Sequence, residues 1–289
     1  MAISNRYDFV VLYDVTMGNP NGDPDSGNCP RIDAETGYGY VTDVCIKRKI
    51  RNYVDLVYEG QPGMNIVIKG DKALNTKFAE VCEKSGFDEQ VKAAKNDKKV
   101  KESATAEAMR FLLENYFDAR TFGIVASTGD NPLGIVRGPV QITMSRSMSP
   151  INIADISITR EGRTKEEDME KSKKEMGRKA FVPYALYRCE GYIDALVAEK
   201  TYLTDEDVKI LFEAIVNMFE HDHSAARGNM NVRKFIVFKH ENKKGNARSG
   251  LLFDKIKVTE KKASPRQFAD YEVTVERDMP EGVELIEYV

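Results

Sequence analysis

Three histidines, His221, His223 and His240, are the only imidazoles in the 289 residues. His221 and His223 flank Asp222, and two rings at that spacing can reach one ion, but a metal centre needs further ligands and supports for them. Glu220, Asp222 and distant acids are the remaining donors. The alternative is a polar helix end, where histidine meets the last carbonyls favourably. A histidine–aspartate nuclease needs more metal-binding histidines than this chain carries, and that class is excluded. Asn21, Asp23 and Asp25 alternate like a calcium loop. Ser26 then stands where glycine is required, and Ile32 where the bidentate glutamate belongs. No G-K-[ST] phosphate loop follows. Cys29, Cys45, Cys82 and Cys189 are too scattered for a zinc knuckle or a redox pair and read as reduced thiols. The inventory contains no catalytic constellation, no metal ligand set and no cofactor motif.

The cations are more informative. Lys47, Arg48, Lys49 and Arg51 place four in five residues. Lys47 and Arg51 are four apart and share a helical face, with Arg48 beside them. Such a face suits a track of phosphates, or else is simply solvated. The segment Met17–Asn28 is dense in Gly, Asn, Pro and Asp. It either offers backbone N–H groups to phosphate or makes a sharp connection after a strand. Arg227-Gly228, Arg120-Thr121-Phe122-Gly123 and Arg137-Gly138 repeat arginine near glycine. Arginine supplies paired donors to phosphate and a flat face to bases.

The net charge of −3 conceals signed regions. Between His223 and Arg248 seven basic residues face Glu241 alone, a net of +6. Asp194–Asp222 and Asp270–Val289 each carry −6. One sign can meet an anionic polymer and the other a neighbouring subunit, or the surface is unevenly solvated. Apolar residues at 42% and charged residues at 31% fit a soluble globular chain. No run suits a membrane helix, and the first residues lack a signal-peptide pattern, so a cytoplasmic protein with no membrane partner is expected.

The elements that must hold these cations can be read from pattern. Tyr7–Val15 is β-branched and aromatic and predicts a strand. Asp43–Val57 predicts a helix capped by Thr42, with Ile46, Ile50, Val54 and Val57 at helical spacing. Residues 60–114 predict a helical or mobile insertion, lysine-rich in its middle. Arg137–Ser147 predicts a strand. Ser149–Arg178 contains a run of alternating charges that begins at Arg160 and predicts a projecting hairpin or helix. Ala180–Ile193 predicts a strand, Thr204 caps a second clear helix, and Phe235–Lys239 predicts another strand whose apolar residues are core. The tail has strand-like stretches, among them Tyr271–Val275. The order strand, helix, strand, strand, helix, strand is that of a ferredoxin-like, split βαβ fold of α+β class, shared by RNA-recognition modules.

Several motifs also carry a resemblance. GNPNGDPD from Gly18, PRID from Pro30, TDVCIKRKIRN from Thr42, RTFG from Arg120, VRGPVQ from Val136, MGRK from Met176 and MFEHDHSAARG ending at Gly228 together resemble the backbone subunit of type I-C (Dvulg-subtype) CRISPR Cascade, of the Cas7 family. The likeness covers nearly the whole chain and is weakest over 91–103 and 161–175.

It implies an RRM-like βαββαβ palm (about 1–59, 115–149 and 180–289), a helical finger insertion (60–114) and a protruding thumb hairpin (150–179). It further implies a non-enzymatic subunit that stacks with copies of itself in a helical filament along guide crRNA. A crRNA-processing and capping subunit, a large subunit and, through the guide, a target DNA strand would be partners. Arg31, Lys47, Arg48 and Arg51 would contact guide phosphates, and so would Arg120, Arg137 and Arg227. Met176, Arg178 and Lys179 would sit on the thumb's return strand. The competing expectation is a CRISPR-associated endoribonuclease, for which Asp33 is the position to watch and His223 a second.

Overall fold

The computed structural model describes residues 1–93, 97–129, 131–160 and 175–289. The chain opens with β1 (Tyr7–Gly18), three residues longer than the pattern predicts. A two-residue ribbon, β2 (Gly22–Asp23) and β3 (Cys29–Pro30), precedes β4 (Tyr38–Val41) and α1 (Asp43–Val57). Next come α2 (Leu74–Lys84), α3 (Phe87–Ala93), α4 (Lys98–Asn115) and α5 (Phe117–Phe122). The hairpin β5 (Gly123–Ala126) and β6 (Gly134–Arg137) leads to β7 (Val140–Ile142), β8 (Ser145–Pro150) and β9 (Ala154–Arg160). After β10 (Glu175–Ile193) come α6 (Ala195–Thr201), α7 (Asp205–Asn217) and β11 (Asn229–His240). The chain ends with α8 (Ser249–Phe253), β12 (Ile256–Glu260), β13 (Tyr271–Val275) and β14 (Val283–Glu287).

The architecture is mixed α+β around a central antiparallel sheet. Its strand order is β14-β11-β1-β10-β8-β4, with β7 and β9 also paired to β10. Strand β1 lies between β10 and β11 and is covered on both faces. Phe9, Val11, Tyr13 and Val15 enter a core shared with α1 and α7, while Val10 and Leu12 enter a second core beneath α8, β12 and β13. Burial on both faces explains why β1 reads as an unbroken apolar run instead of an alternating one.

Helices α2–α4 and the β5–β6 hairpin have a third core of their own, around Phe78, Phe87, Leu112 and Leu133. This unit is joined to the sheet through buried charges. Arg51 Nε donates to Asp118 at 2.8 Å, and Asp118 also accepts the Val67 and Ile68 N–H groups at 2.8 and 3.0 Å. Arg120 donates to Asp207 at 2.7 and 3.0 Å and to the Gly63 carbonyl at 2.6 Å.

The helix starts follow the sequence closely. Thr42 Oγ1 accepts from Cys45 N at 3.2 Å. Thr204 and Asp207 exchange both bonds of a capping box, which orders the first turn of α7. The segment expected as one strand, Arg137–Ser147, is instead shared among β6, β7 and β8. Pro139 has no N–H to give a ladder. A Cβ on Gly138 would fall 2.1 Å from the Phe122 carbonyl carbon, so the two backbones meet there. Strand β4 was not expected. Its Gly39 lies under Tyr187 and Ile151, where a Cβ would come within 2.6 and 2.7 Å, and the glycine obscures the strand pattern. The expected projection at 150–179 falls partly outside the described residues. Its described flanks, β9 and β10, form an antiparallel ribbon running from the Ala154–Phe181 pair to the Arg160–Glu175 pair. Residues 94–96 of the lysine-rich segment also lie outside them.

Candidate functional site

Three segments far apart in sequence converge where β1 ends. They are the Asn/Gly loop after β1, one face of α1, and the turn between α7 and β11. Between them lies a cleft of about 360 Å³. Asn19, Asn21, Gly22 and Asn28 line it from the loop. Cys45, Arg48, Lys49 and Asn52 line it from α1, and Ser224, Ala226 and Arg227 from the turn.

Two glycines bring the turn and the loop together. A Cβ on Gly18 would lie 1.7 Å from the Arg227 carbonyl oxygen. Gly228, at φ +65°, approaches the carbonyls of Thr16 and Met17, and a Cβ there would lie 2.5 Å from each. The Asn19 N–H then donates to the Ala226 carbonyl at 2.8 Å.

Asparagines make the loop rigid. Asn21 Oδ1 accepts from both the N–H and the hydroxyl of Thr42 at 3.0 Å, tying the loop to the start of α1. Asn19 Nδ2 donates to the Asn28 carbonyl at 2.7 Å, which fixes the direction of that amide. Asn19 Oδ1 and Arg31 Nε are buried and have no hydrogen-bond partner. An unpaired buried polar group is costly, and of the two residues Asn19 is the one that lines the cleft.

Asp222 organises the charge. It pairs with Lys49 and also with Arg227. Lys49 is 3% exposed, so its ammonium depends on this carboxylate. Arg48 is exposed and donates one amino group to the Ile68 carbonyl at 2.7 Å. Arg31 lies 3.5 Å from Asp23. Lys179 reaches the turn from β10 and donates to the Ala225 carbonyl.

The remaining expected residues are placed as follows. Lys47 and Arg51 do share a face of α1, yet that face is closed. Lys47 pairs with Asp43 at 3.0 Å, and both cations lie over the Phe122 ring, at 5.8 and 5.1 Å. Arg51 and Arg120, expected at guide phosphates, are buried in the ion pairs with Asp118 and Asp207. The physical reason is the same for both. Each guanidinium satisfies a buried carboxylate where the helical unit meets the sheet, and opening it would strand that carboxylate. Arg178 is exposed beside Asp155, and Met176 pairs in register with Thr159. Arg137 lies elsewhere, in a cleft with Arg6 and Lys244.

Among the described residues, no three His, Cys, Asp or Glu side chains could together hold a metal ion. His221 lies near the Tyr53 ring, 6.1 Å between centroids, and His240 is buried against Asp8 at 3.0 Å. Burial pushes the Cys45 thiol above its usual range, so it stays protonated and points at the Pro20 carbonyl. Asp33 is exposed, and a hydrogen bond from Thr36 holds its carboxyl below the usual range.

Sequence reasoning missed the Asp222 clamp, Asn52 and the two unpaired atoms. Asn52 had a signal, being four residues after Arg48. The clamp had none, because Lys49 and Asp222 are 173 positions apart.

A family model for the CRISPR-associated protein Cas7 matches residues 5–276. A CRISPR-associated protein Cas7 from Haloferax volcanii is 38% identical over 69 residues, 24% of this chain and 19% of that relative. The match therefore spans about a fifth of the relative's length. A chain of a CRISPR RNA-guided surveillance complex, pre-nicking, superposes with a TM-score of 0.50 at 10% identity, covering 81% of this chain and 78% of that one. A chain of another CRISPR RNA-guided surveillance complex gives 0.42 at 11% identity, covering 81% and 68%. No helix among the described residues is long and apolar enough to cross a membrane.

Proposed function

The chain belongs to the Cas7 family of CRISPR-associated proteins, and from that premise we propose that it is a non-catalytic crRNA-binding backbone subunit of a type I-C surveillance (Cascade) complex. Copies stack into a filament along the guide, joined by a processing and capping subunit and a large subunit. The guide is left free to pair with target DNA in the cytoplasm. The observation that carries this reading is the convergence of the Asn/Gly loop, the Arg48 face of α1 and the Ser224–Arg227 turn on one polar, cation-bearing cleft.

The chemistry suits a strand of any sequence. Such a strand is held through phosphates and sugars, which calls for cations, amides and backbone N–H groups and not for an acid–base pair. Arg31, Arg48, Lys179 and Arg227 are the central contacts, and Lys47, Met176 and Arg178 flank them. Arg51 and Arg120 act through the framework. In this reading the palm is RRM-like. Its four long-range strands lie in the order β11-β1-β10-β8, with α1 and α7 on one face. The separate core of α2–α4 supports a finger over 60–114, and the β9–β10 ribbon supports a thumb over 150–179.

The test is RNA binding by the full chain across a salt series. Changing Arg48 and Arg227 to alanine removes two phosphate partners, so the slope of log affinity against log salt should become shallower by about 1.4. An unchanged slope and affinity would sink the cleft assignment. The same incubation with repeat RNA and complementary target RNA, with and without magnesium, checks for chemistry. Cleavage lost on Asp33→Ala or His223→Ala would replace this reading with an endoribonuclease.

A further inference from the structure

We propose a second nucleic-acid surface at the opposite end of β1, which takes the phosphodiester backbone of a single strand other than the one held in the first cleft. It goes beyond the guide-holding function and uses different residues.

The surface is a cleft of about 320 Å³. Arg6 enters it from the residue before β1, Arg137 from the end of β6, and Lys243 and Lys244 from the loop after β11. Three separate segments thus bring four cations to one hollow.

The acids nearby are already committed. Asp8 is buried between Arg6, at 3.1 Å, and His240, at 3.0 Å. Asp194 caps α6 by accepting from Leu196 N at 2.9 Å. Glu199 meets Lys243 at 2.7 Å, but both side chains are about half exposed, so this pair is readily exchanged for a phosphate. Lys244 is exposed and has no ion pair among the described residues. Arg6 is held in place by Asp8 and Ser249, and its amino group reaches the Lys244 carbonyl at 3.5 Å, so it props the loop that carries the lysines.

The lining favours a nucleic acid over an acidic protein. Tyr192 is half-buried in the hollow, its ring fixed edge-on by Phe253 at 5.5 Å, and the exposed Leu196 lies beside it. Cations beside a fixed aromatic ring are the arrangement that holds single strands, through phosphate pairing and base stacking. The guanidinium of Arg137 adds a second flat surface.

Position argues for a separate strand. Tyr192 and Ile193 pair with Asp8 and Tyr7, whereas the first cleft begins at Asn19. Twelve residues of strand separate the two ends. At the rise of a β-strand that is roughly 35–40 Å. The second cleft therefore opens at the far end of β1 from the first.

The experiment uses the full chain with its co-purified RNA and a fluorescein-labelled oligo(dT) strand as probe, which cannot pair with a mixed-sequence guide. Wild type should bind the probe while retaining its RNA. Changing Lys243 and Lys244 to alanine should weaken probe binding at least about tenfold and make its salt slope shallower by about 1.4. Retained RNA should be unchanged. Lys244→Glu is the second variant. Its side chain makes no hydrogen bond or ion pair among the described residues, so the fold is preserved, and probe binding should fall here too.

Probe binding unaffected by both variants overturns the proposal. So does loss of the co-purified RNA in step with loss of probe, because the surface would then extend the first cleft. Variants that abolish association between copies, with no probe bound by wild type, assign the surface to an acidic protein face instead. Arg48→Ala/Arg227→Ala separates the two sites. Loss of RNA with probe binding intact supports both assignments, while unchanged RNA with loss of probe on Lys244→Glu defeats only the first.

Discussion

Replacing Asp222 by alanine should destabilise the protein by about 3–5 kcal/mol, because it leaves the Lys49 ammonium buried without a counter-charge. Lys49 is 3% exposed and lies 5.6 Å from the Phe219 ring centroid, and the aromatic face is a weak substitute for a carboxylate. For a chain of this size the loss corresponds to a fall in Tm of roughly 6–20 °C. The chain has no tryptophan, so circular dichroism in a urea series is the practical readout.

A double-mutant cycle isolates the pair. Lys49→Met removes the buried charge and keeps most of the side-chain volume. In that background Asp222→Ala should cost only about 1–2 kcal/mol, from the side-chain hydrogen bond to Arg227. The coupling energy is then about 2–3 kcal/mol. Equal costs for Asp222→Ala in the two backgrounds would refute the reasoning, since Asp222 would then act on the turn alone. Binding adds a second readout. Lys49→Met leaves Arg227 clamped, so the double variant should lose RNA affinity and the single lysine variant should keep most of it.

Arg120→Ala should cost about 3–5 kcal/mol in denaturation, with RNA bound per folded molecule unchanged, because Asp207 is left buried and unpaired. Full stability with selective loss of RNA would return Arg120 to the contacts. Gly18→Ala should displace the 224–227 turn, since its Cβ would overlap the Arg227 carbonyl, and weaken RNA binding with little change in Tm. Wild-type affinity in that variant would show that the close approach is not required. Burial and hydrogen bonds to Glu213 push Tyr53 and Tyr58 up to about 12. Unfolded tyrosine ionises near 10, so their contribution is intact below pH 10 and is lost as pH rises from about 10 to 12. Titration of tyrosinate absorbance in wild type and Tyr53→Phe measures it, and ionisation near 10 in the native protein would contradict the assignment.

The starts of α1 and α7 and the main strands were legible because each rests on local rules. Thr42 and Thr204 are caps whose partners lie three residues away, and β1 declares itself by an unbroken apolar run. Strands β4 and β5–β6 were not legible, because glycines there serve contacts made by distant chain. Gly39 admits Tyr187 and Ile151, and Gly123 packs against Val136 and Gly138. Charge was half legible. Sequence placed Lys47, Arg48, Lys49 and Arg51 on one helix, but a helix presents cations in several directions. Arg48 lines the cleft, Lys49 is clamped beside it, and Lys47 and Arg51 close against Phe122.

That partition shows why a cation-rich motif does not translate directly into a list of ligand contacts. A buried arginine opposite a carboxylate fixes the angle between two structural units, and its loss is read in stability. An arginine such as Arg48, exposed and held by a single carbonyl, keeps donors for an incoming phosphate, and its loss is read in the salt slope. Arg227 lies between these cases, clamped by Asp222 yet partly exposed. A phosphate at the cleft would compete with Asp222 for Arg227, and Asp222 would retain Lys49 as its partner. The shared carboxylate thus lets the turn change counter-ion without leaving a buried charge alone, which is the behaviour required of a surface that must bind one phosphate after another along a strand.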